Sequence, residues 1–172
     1  SGLRPELLDD LGLAATLEWH SQEIHKQTGI DVHLQLPTED LPLEDFQSTT
    51  IFRLYQEAVT NALRHSNATV ISINLARNNA EIILEVIDNG KGIEWDQISG
   101  SSSMGLVGMR ERVDLLHGDL RITGSPNKGT AISIRIPITK EALSRVDKFK
   151  HPKKPQESKS NVVVSDTQIA LS

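Results

Sequence analysis

The chain has 172 residues, of which 37% are hydrophobic and only 3% aromatic, so aliphatic side chains must build most of its core. The absence of cysteine excludes disulfides and thiolate metal sites. The net charge of −5 is uneven: residues 1–139 carry 11 Lys and Arg against 19 Asp and Glu, whereas residues 140–172 carry 7 against 4. This balance gives no sign of direct nucleic-acid binding, and no apolar run is long enough to cross a bilayer, so we expect a soluble domain.

The N-terminal part of the chain predicts a connector, a helix and a strand. Residues 1–12 are expected to form the connector, because Pro5 and Gly12 punctuate them. A helix is predicted over residues 13–28. Residues 30–36 alternate between apolar and polar side chains, which indicates a half-buried strand.

The clearest predicted element is an amphipathic helix around residues 51–63. Its apolar residues follow the i, i+3, i+4, i+7 spacing and are Ile51, Leu54, Tyr55, Ala58, Val59, Ala62 and Leu63. Glu57, Asn61 and His65 are four residues apart and border this apolar face. The oxygen of Asn61 suits Mg²⁺ shared with phosphates, and Arg64 and His65 suit phosphate oxygens. The alternative is a solvated helix flank with His65 packed at its end.

Two strands are predicted next, over residues 69–75 and 82–88. Alternation places Asp88 on the face that a helix should cover. A carboxylate there is costly without a partner, and an adenine amino group is a suitable donor. Gly90 and Gly92 are expected to let the backbone turn and approach this ligand closely. The alternative is an ordinary Asp-Asn-Gly turn at the end of a strand.

A second glycine-containing segment follows. Gly105 and Gly108 precede or open a helix predicted over residues 107–116, and backbone N–H groups at a helix start favour phosphate oxygens. The Ser- and Gly-rich residues 99–103 predict a mobile lid over a nucleotide. The alternative is a loop-to-helix junction that uses glycine for flexibility.

Two closing strands are predicted over residues 119–124 and 130–136. Thr130 is in phase with the isoleucines of its strand, so its hydroxyl either points into the same cavity as Asp88 or belongs to an ordinary strand threonine. Residues 140–172 are predicted to form a basic linker or tail, or else to include the start of a further domain. The spacing of His20, His25, His33 and His117 suggests no metal site, and we expect these histidines to be solvated.

Taken together, residues 57–65, 88–92 and 105–109 resemble the ATP-binding module of two-component sensor histidine kinases. This module belongs to the ATPase superfamily that also includes gyrase, Hsp90 and MutL (the Bergerat fold). The resemblance covers residues 3–137. It implies an α+β two-layer sandwich, with a mixed, mostly antiparallel sheet of about five strands that about three helices cover on one face.

The resemblance also implies a domain organisation. Residues 1–12 would connect to a missing hairpin that carries the phosphoacceptor and forms the dimer. Residues 13–139 would form the ATP-binding catalytic domain, and residues 140–172 the linker, tail or start of a further domain.

Site residues are carried over from the family by their position in the motifs. Asn61 would hold Mg²⁺ and, with Glu57, act in catalysis, while Asp88 would bind the adenine amino group. The full set expected to contact ATP is Asn61, Arg64, His65, Asp88, Gly90, Lys91, Gly92, Gly105, Leu106, Gly108 and Thr130.

The implied activity is transfer of the ATP γ-phosphoryl group to a histidine on the separate hairpin, for relay to an aspartate of a response regulator. The subfamily resembled here usually partners with regulators that have helix-turn-helix output domains. The family's acceptor histidine is followed by an acidic residue, whereas Ser21 follows His20 and Lys26 follows His25. We therefore expect this fragment to be a monomer that binds Mg-ATP without phosphorylating itself. Its parent would be a cytoplasmic or membrane-anchored homodimer.

Two other classes remain open at this point. One is an ATPase of the same superfamily that hydrolyses ATP to drive conformational change, although such proteins generally have longer lids and large additional domains. The other is a nucleotide-sensing or degenerate binding module, either without kinase activity or with kinase activity on a regulator rather than on histidine.

Overall fold

The computed structural model of the protein describes residues 6–78, 80–93 and 104–144. Expectations for the lid at residues 99–103 and for the segment beyond residue 144 lie outside this part of the chain. The elements, in chain order, are α1 Glu6–Thr28, β1 Asp31–Gln35, α2 Asp45–His65, β2 Val70–Arg77, β3 Glu81–Asp88, α3 Met104–Leu115, β4 Asp119–Gly124 and β5 Thr130–Pro137. Residues 140–144 are also helical.

The strands form one five-stranded sheet in the order β1-β2-β3-β5-β4. The β1–β2 pair is parallel, with α2 as the crossover between the two strands, and the other pairs are antiparallel. The predicted mixed, mostly antiparallel sheet is confirmed. Its register places Asp88 at the end of β3 directly opposite Thr130 at the start of β5.

The helices cover one face of this sheet, as expected for a two-layer α+β sandwich. Strand side chains on that face alternate with those on the other and are buried: Ile71, Ile73, Leu75, Ile82, Leu84, Val86, Ile132, Ile134 and Ile136. The residues between them form the opposite face, where Ile87 is 47% exposed. The periodicity of the strands therefore decides which side chains can reach a site beneath the helices.

The core extends beyond the expected bounds of 13–139 at both ends. Residues 6–11, which belong to the predicted connector, are helical, and Leu8 among them is buried. Gly12 has non-helical backbone angles, φ 79° and ψ 179°, so α1 consists of two helical segments that meet at a kink, and the predicted start of a helix at residue 13 is confirmed. At the other end, Ala142 is buried as well.

A polar aromatic cluster fixes α1 against α2. The Tyr55 hydroxyl lies 3.0 Å from His20 Nδ1 and 3.1 Å from Ser21 Oγ, and Phe52 packs edge-on against the His20 ring. Burial lowers the pKa of His20 below its usual value and raises the pKa of Tyr55 to about 12. The expectation that His20 is solvated is therefore wrong.

The remaining histidines, His25, His33 and His117, are exposed as expected. Among the helices in the described ranges, none has both the length and the apolar character needed to cross a bilayer.

Candidate functional site

A cavity of about 530 Å³ opens between α2, the sheet and the start of α3. Its volume falls within the usual range for small-molecule sites. The residues that line it are Glu57, Ala58, Thr60, Asn61, Ala62, Arg64, His65, Ser66, Val86, Asp88, Lys91, Gly92, Ile93, Gly105, Leu106, Ile122, Thr130 and Ile132.

Polar side chains of α2 form one wall of the cavity. Glu57, Asn61 and His65 lie on successive turns beside the apolar face, and Arg64 adds a cationic side chain next to them. Arg64 and His65 are exposed, so they lie at the rim rather than in the depth of the site. The stripe therefore borders a cavity, which favours the binding interpretation over a solvated flank.

The first turn of α3 approaches this wall closely at Gly105. A side chain at Gly105 would overlap Glu57 Oε1 and would lie 3.8 Å from Asn61 Oδ1. Two oxygen atoms thus converge on the N-terminal end of α3. Hard cations such as Mg²⁺ prefer oxygen ligands, so this donor set fits a cation whose remaining ligands come from phosphates and water.

No group of three or more His, Asp or Glu side chains in the described ranges could hold a metal ion by itself.

The floor of the cavity is an apolar surface that contains one carboxylate. Asp88 is only 8% exposed, and its Oδ1 accepts a 2.8 Å hydrogen bond from the Gly90 N–H group. Thr130 lies opposite it, and Val86 and Ile132 supply apolar surface on the same strands. The expectation that Asp88 faces the helices is confirmed. Such a surface suits a flat heterocycle with an amino group that can donate to the carboxylate.

The two glycines after Asp88 have different neighbours. Gly92 lines the cavity at φ 79°, and a side chain there would overlap the backbone oxygen of Ser125. Gly90 lies outside the lining, and a side chain there would overlap the Ser66 backbone and lie 2.6 Å from Ser66 Oγ. Gly90 thus approaches Ser66 closely, and its expected contact with a ligand stays a prediction.

The two glycines of the second glycine-containing segment also differ in their positions relative to the cavity. Gly105 and Leu106 line the cavity, but Gly108 lies outside it beside Arg112. The helix starts at Met104 rather than near residue 107, so Gly105 lies within α3 rather than ahead of it. The expected helix start at the site is present three residues earlier than predicted.

All predicted site residues except Gly90 and Gly108 therefore line one cavity. Sequence reasoning missed Ser66, which is 4% exposed at the C-terminal end of α2. The available signal was a small polar residue directly after the amphipathic stripe. It also missed the apolar side chains of Ile93 and Ile122, for which strand phase gave a signal only at Ile122.

Known proteins resemble this chain in both sequence and fold. Residues 46–140 match the family described as the histidine kinase-, DNA gyrase B-, and HSP90-like ATPase. The chain is 34% identical over 137 residues to the oxygen sensor histidine kinase NreB of Staphylococcus carnosus, with 80% of this chain and 40% of NreB covered. It is 39% identical over 141 residues to the signal transduction histidine-protein kinase/phosphatase DegS of Bacillus subtilis, with 79% and 37% covered.

The chain thus spans about two-fifths of the length of these relatives. Its fold matches the histidine kinase domain of the blue-light activated histidine kinase from Erythrobacter litoralis EL346, with a TM-score of 0.65 and 25% identity. That match covers 76% of this chain and 67% of the other. The chain therefore belongs to the histidine kinase-, DNA gyrase B- and HSP90-like ATPase family, in the branch of the sensor histidine kinases.

Proposed function

We propose that this domain binds Mg-ATP in the cavity, as the catalytic domain of a longer sensor histidine kinase. The observation that carries the proposal is the buried Asp88 carboxylate on an otherwise apolar floor. The Gly90 N–H group donates a hydrogen bond to Oδ1 of this carboxylate, and Oδ2 would accept one from the adenine amino group. Thr130, on the neighbouring strand, supplies a hydroxyl for the same end of the nucleotide.

The α2 wall would hold the phosphates. Asn61 supplies an oxygen for Mg²⁺, and Arg64, His65 and Lys91 supply donors for phosphate oxygens. The N-terminal end of α3 adds backbone N–H groups at Gly105 and Leu106. Phosphoryl transfer depends mainly on positioning and on neutralising charge, and these groups supply both without a covalent step on the protein.

Glu57 lies where the phosphate end of the nucleotide would be, because its carboxylate reaches the start of α3 beside Asn61. We assign it to catalysis together with Asn61. It would either complete the water shell of Mg²⁺ or orient the attacking group. These two roles are alternatives within the same reaction.

The phosphoryl group would pass to a histidine on a separate helical hairpin of the parent kinase, and from there to an aspartate of a response regulator. His20 is unsuited as an acceptor, because it is half-buried and its Nδ1 lies 3.0 Å from the Tyr55 hydroxyl. We therefore propose that this chain alone is a monomer that binds ATP without forming phosphohistidine. Its parent would act as a homodimer on the cytoplasmic side.

The test is calorimetric titration of the whole chain with a non-hydrolysable ATP analogue and Mg²⁺. Asp88→Asn should weaken binding by about tenfold to hundredfold, since it loses a charged acceptor on a buried floor. Asp40→Asn is the matched control, because Asp40 is exposed and lies outside the cavity. Absence of binding by the folded wild-type chain would overturn the proposal in favour of a degenerate module.

A further inference from the structure

The two sides of the cavity are joined by a hydrogen-bonded junction around the loop that follows β3. Its centre is Asn89, an exposed residue that is absent from the cavity lining. Asn89 Oδ1 accepts hydrogen bonds from the N–H groups of Thr69 at 2.9 Å and Val70 at 3.0 Å. Asn89 Nδ2 donates to Thr69 Oγ1 at 2.9 Å. One side chain thus ties the end of β3 to the segment that leaves α2.

Ser66 forms the other half of this junction. Its backbone oxygen accepts a 2.7 Å hydrogen bond from the Lys91 N–H group, and Gly90 packs against it with no room for a side chain. Ser66 Oγ donates to Ala62 O at 2.6 Å and accepts from Ala68 N at 3.1 Å. The segment from Ser66 to Val70, which follows α2, is therefore bonded to the residues on both sides of Gly90.

The junction lies between the Asp88 carboxylate on the floor of the cavity and the polar side chains of the α2 wall. Asn89 directly follows Asp88, which lies on the floor, while Ser66 directly follows Arg64 and His65 on the α2 wall. A shift of the loop relative to α2 would change the distance between these groups. Packing of α2 on the apolar sheet face is less directional than a hydrogen bond and tolerates such shifts better.

We propose that Asn89, acting with Ser66, is a positioning residue that sets the separation between the Asp88 carboxylate and the phosphate-binding groups of α2. It does so without touching the nucleotide. This inference rests on the proposed function, because it assumes that adenine and phosphates bind at these two places. Two subsites held at the correct separation bind a linked ligand more tightly than its separate parts, since binding of one part supplies a high local concentration of the other.

The chain contains a matched control for this residue at the opposite end of the sheet. Asn78 is also exposed, and its Oδ1 also accepts two backbone N–H groups, from Ala80 at 3.1 Å and Glu81 at 2.9 Å. Its Nδ2 donates to Glu81 Oε2 at 3.3 Å. Asn89→Ala and Asn78→Ala therefore remove the same kinds of bonds, and only the first removes them beside the cavity.

The experiment measures two affinities for each variant of the full chain: calorimetry with the ATP analogue and Mg²⁺, and an NMR titration with adenosine. For Asn89→Ala we expect the ratio of the affinity for the analogue to the affinity for adenosine to fall about tenfold, which corresponds to about 1.4 kcal/mol. The affinity for adenosine itself should stay within about twofold of wild type. For Asn78→Ala the ratio should stay at the wild-type value. A merely structural role would weaken both ligands equally and leave the ratio unchanged, which would overturn the inference.

A conservative variant adds a rescue. Asn89→Asp keeps an acceptor for the Thr69 and Val70 N–H groups, so its ratio should return to within about threefold of wild type. A ratio as low as that of Asn89→Ala would contradict the proposed role.

If Asn89→Ala fails to fold, Thr69→Val removes only the bond from Asn89 Nδ2 and should lower the ratio about two- to threefold. An unchanged ratio in Thr69→Val would then overturn the inference. Failure of the wild-type chain to bind the analogue would instead overturn the proposed function, so the two failures are distinguishable.

Discussion

On the sheet side of the cavity, Asp88 and Thr130 lie opposite each other on neighbouring strands, where backbone pairing sets their positions. On the α2 side, Glu57, Asn61 and Arg64 project from one helix, and only their spacing along that helix relates them. Asp88 on the floor is buried, whereas Arg64 on the wall is exposed. This difference suits a ligand whose flat base needs a fixed shape and whose charged end needs adjustable contacts and counterions.

The largest expected effect comes from disturbing the floor through Gly129. Its φ is 78°, and a side chain there would overlap the Asp88 backbone oxygen. Gly129→Ala should lower the free energy of unfolding by about 2–4 kcal/mol, because left-handed strain and a backbone clash add together. Urea denaturation measures this change.

Gly29→Ala is the matched control for that experiment. Gly29 has φ 73° with nothing within 4 Å of the added carbon, so only the strain of about 1–2 kcal/mol should appear. Equal losses in the two variants would mean that the close approach of Gly129 to Asp88 contributes nothing to the floor.

A second prediction tests the wall alone. Asn61→Ala should weaken binding of the ATP analogue with Mg²⁺ by about tenfold to hundredfold, because it removes an oxygen from the converging pair near Gly105. Adenosine, which carries no phosphate, should bind as it does to wild type. Calorimetry with and without Mg²⁺ measures the first effect and an NMR titration the second. A comparable loss of adenosine affinity would show that the wall and the floor are not separable.

A third prediction concerns the contact between His20 of α1 and Tyr55 of α2. Since burial lowers the pKa of His20 in the folded state, the unfolded state binds more protons in the window from the ordinary value near 6.5 down to the folded value. The free energy of unfolding should therefore fall as the pH falls through that window. Urea denaturation at a series of pH values measures this slope.

His20→Gln should make that slope shallower, because it removes the half-buried imidazole whose pKa burial lowers. An unchanged slope in the variant would assign the pH dependence to other groups. At the alkaline end, Tyr55 acts with the opposite sign: its pKa of about 12 in the folded state predicts a loss of stability as the pH rises above 10.

The smallest expected effect is at Gly108. A side chain there would lie 3.1 Å from the end of the flexible Arg112 side chain, and Gly108 lies within α3. Gly108→Ala should be neutral or raise the free energy of unfolding by up to about 1 kcal/mol, with affinity for the ATP analogue within about twofold of wild type. Gly105→Ala is the contrasting variant, since its side chain would overlap Glu57 and should weaken analogue binding. Similar behaviour of the two variants would contradict the different roles assigned to these glycines.

Local periodicity accounts for how much of the site could be predicted. The period of two along β3 and β5 placed Asp88 and Thr130 on the covered face, and the spacing of four on α2 placed Glu57 and Asn61 on one stripe. Both patterns depend only on backbone geometry within one element, so the residues alone reveal them. The resemblance to a family implied a mixed sheet of about five strands, and the order of those strands came only from the structure.

Contacts between distant segments needed the tertiary structure. Nothing near His20 in the sequence indicates that it lies against Tyr55, and nothing near Gly90 indicates that it packs against Ser66. The burial of Leu8 ahead of the Gly12 kink likewise appears only in the structure. The sequence by itself determined which faces are apolar, because side-chain direction repeats within each helix and strand. Only the tertiary structure decided which of those faces and glycines meet, because that depends on the packing of segments far apart in the chain.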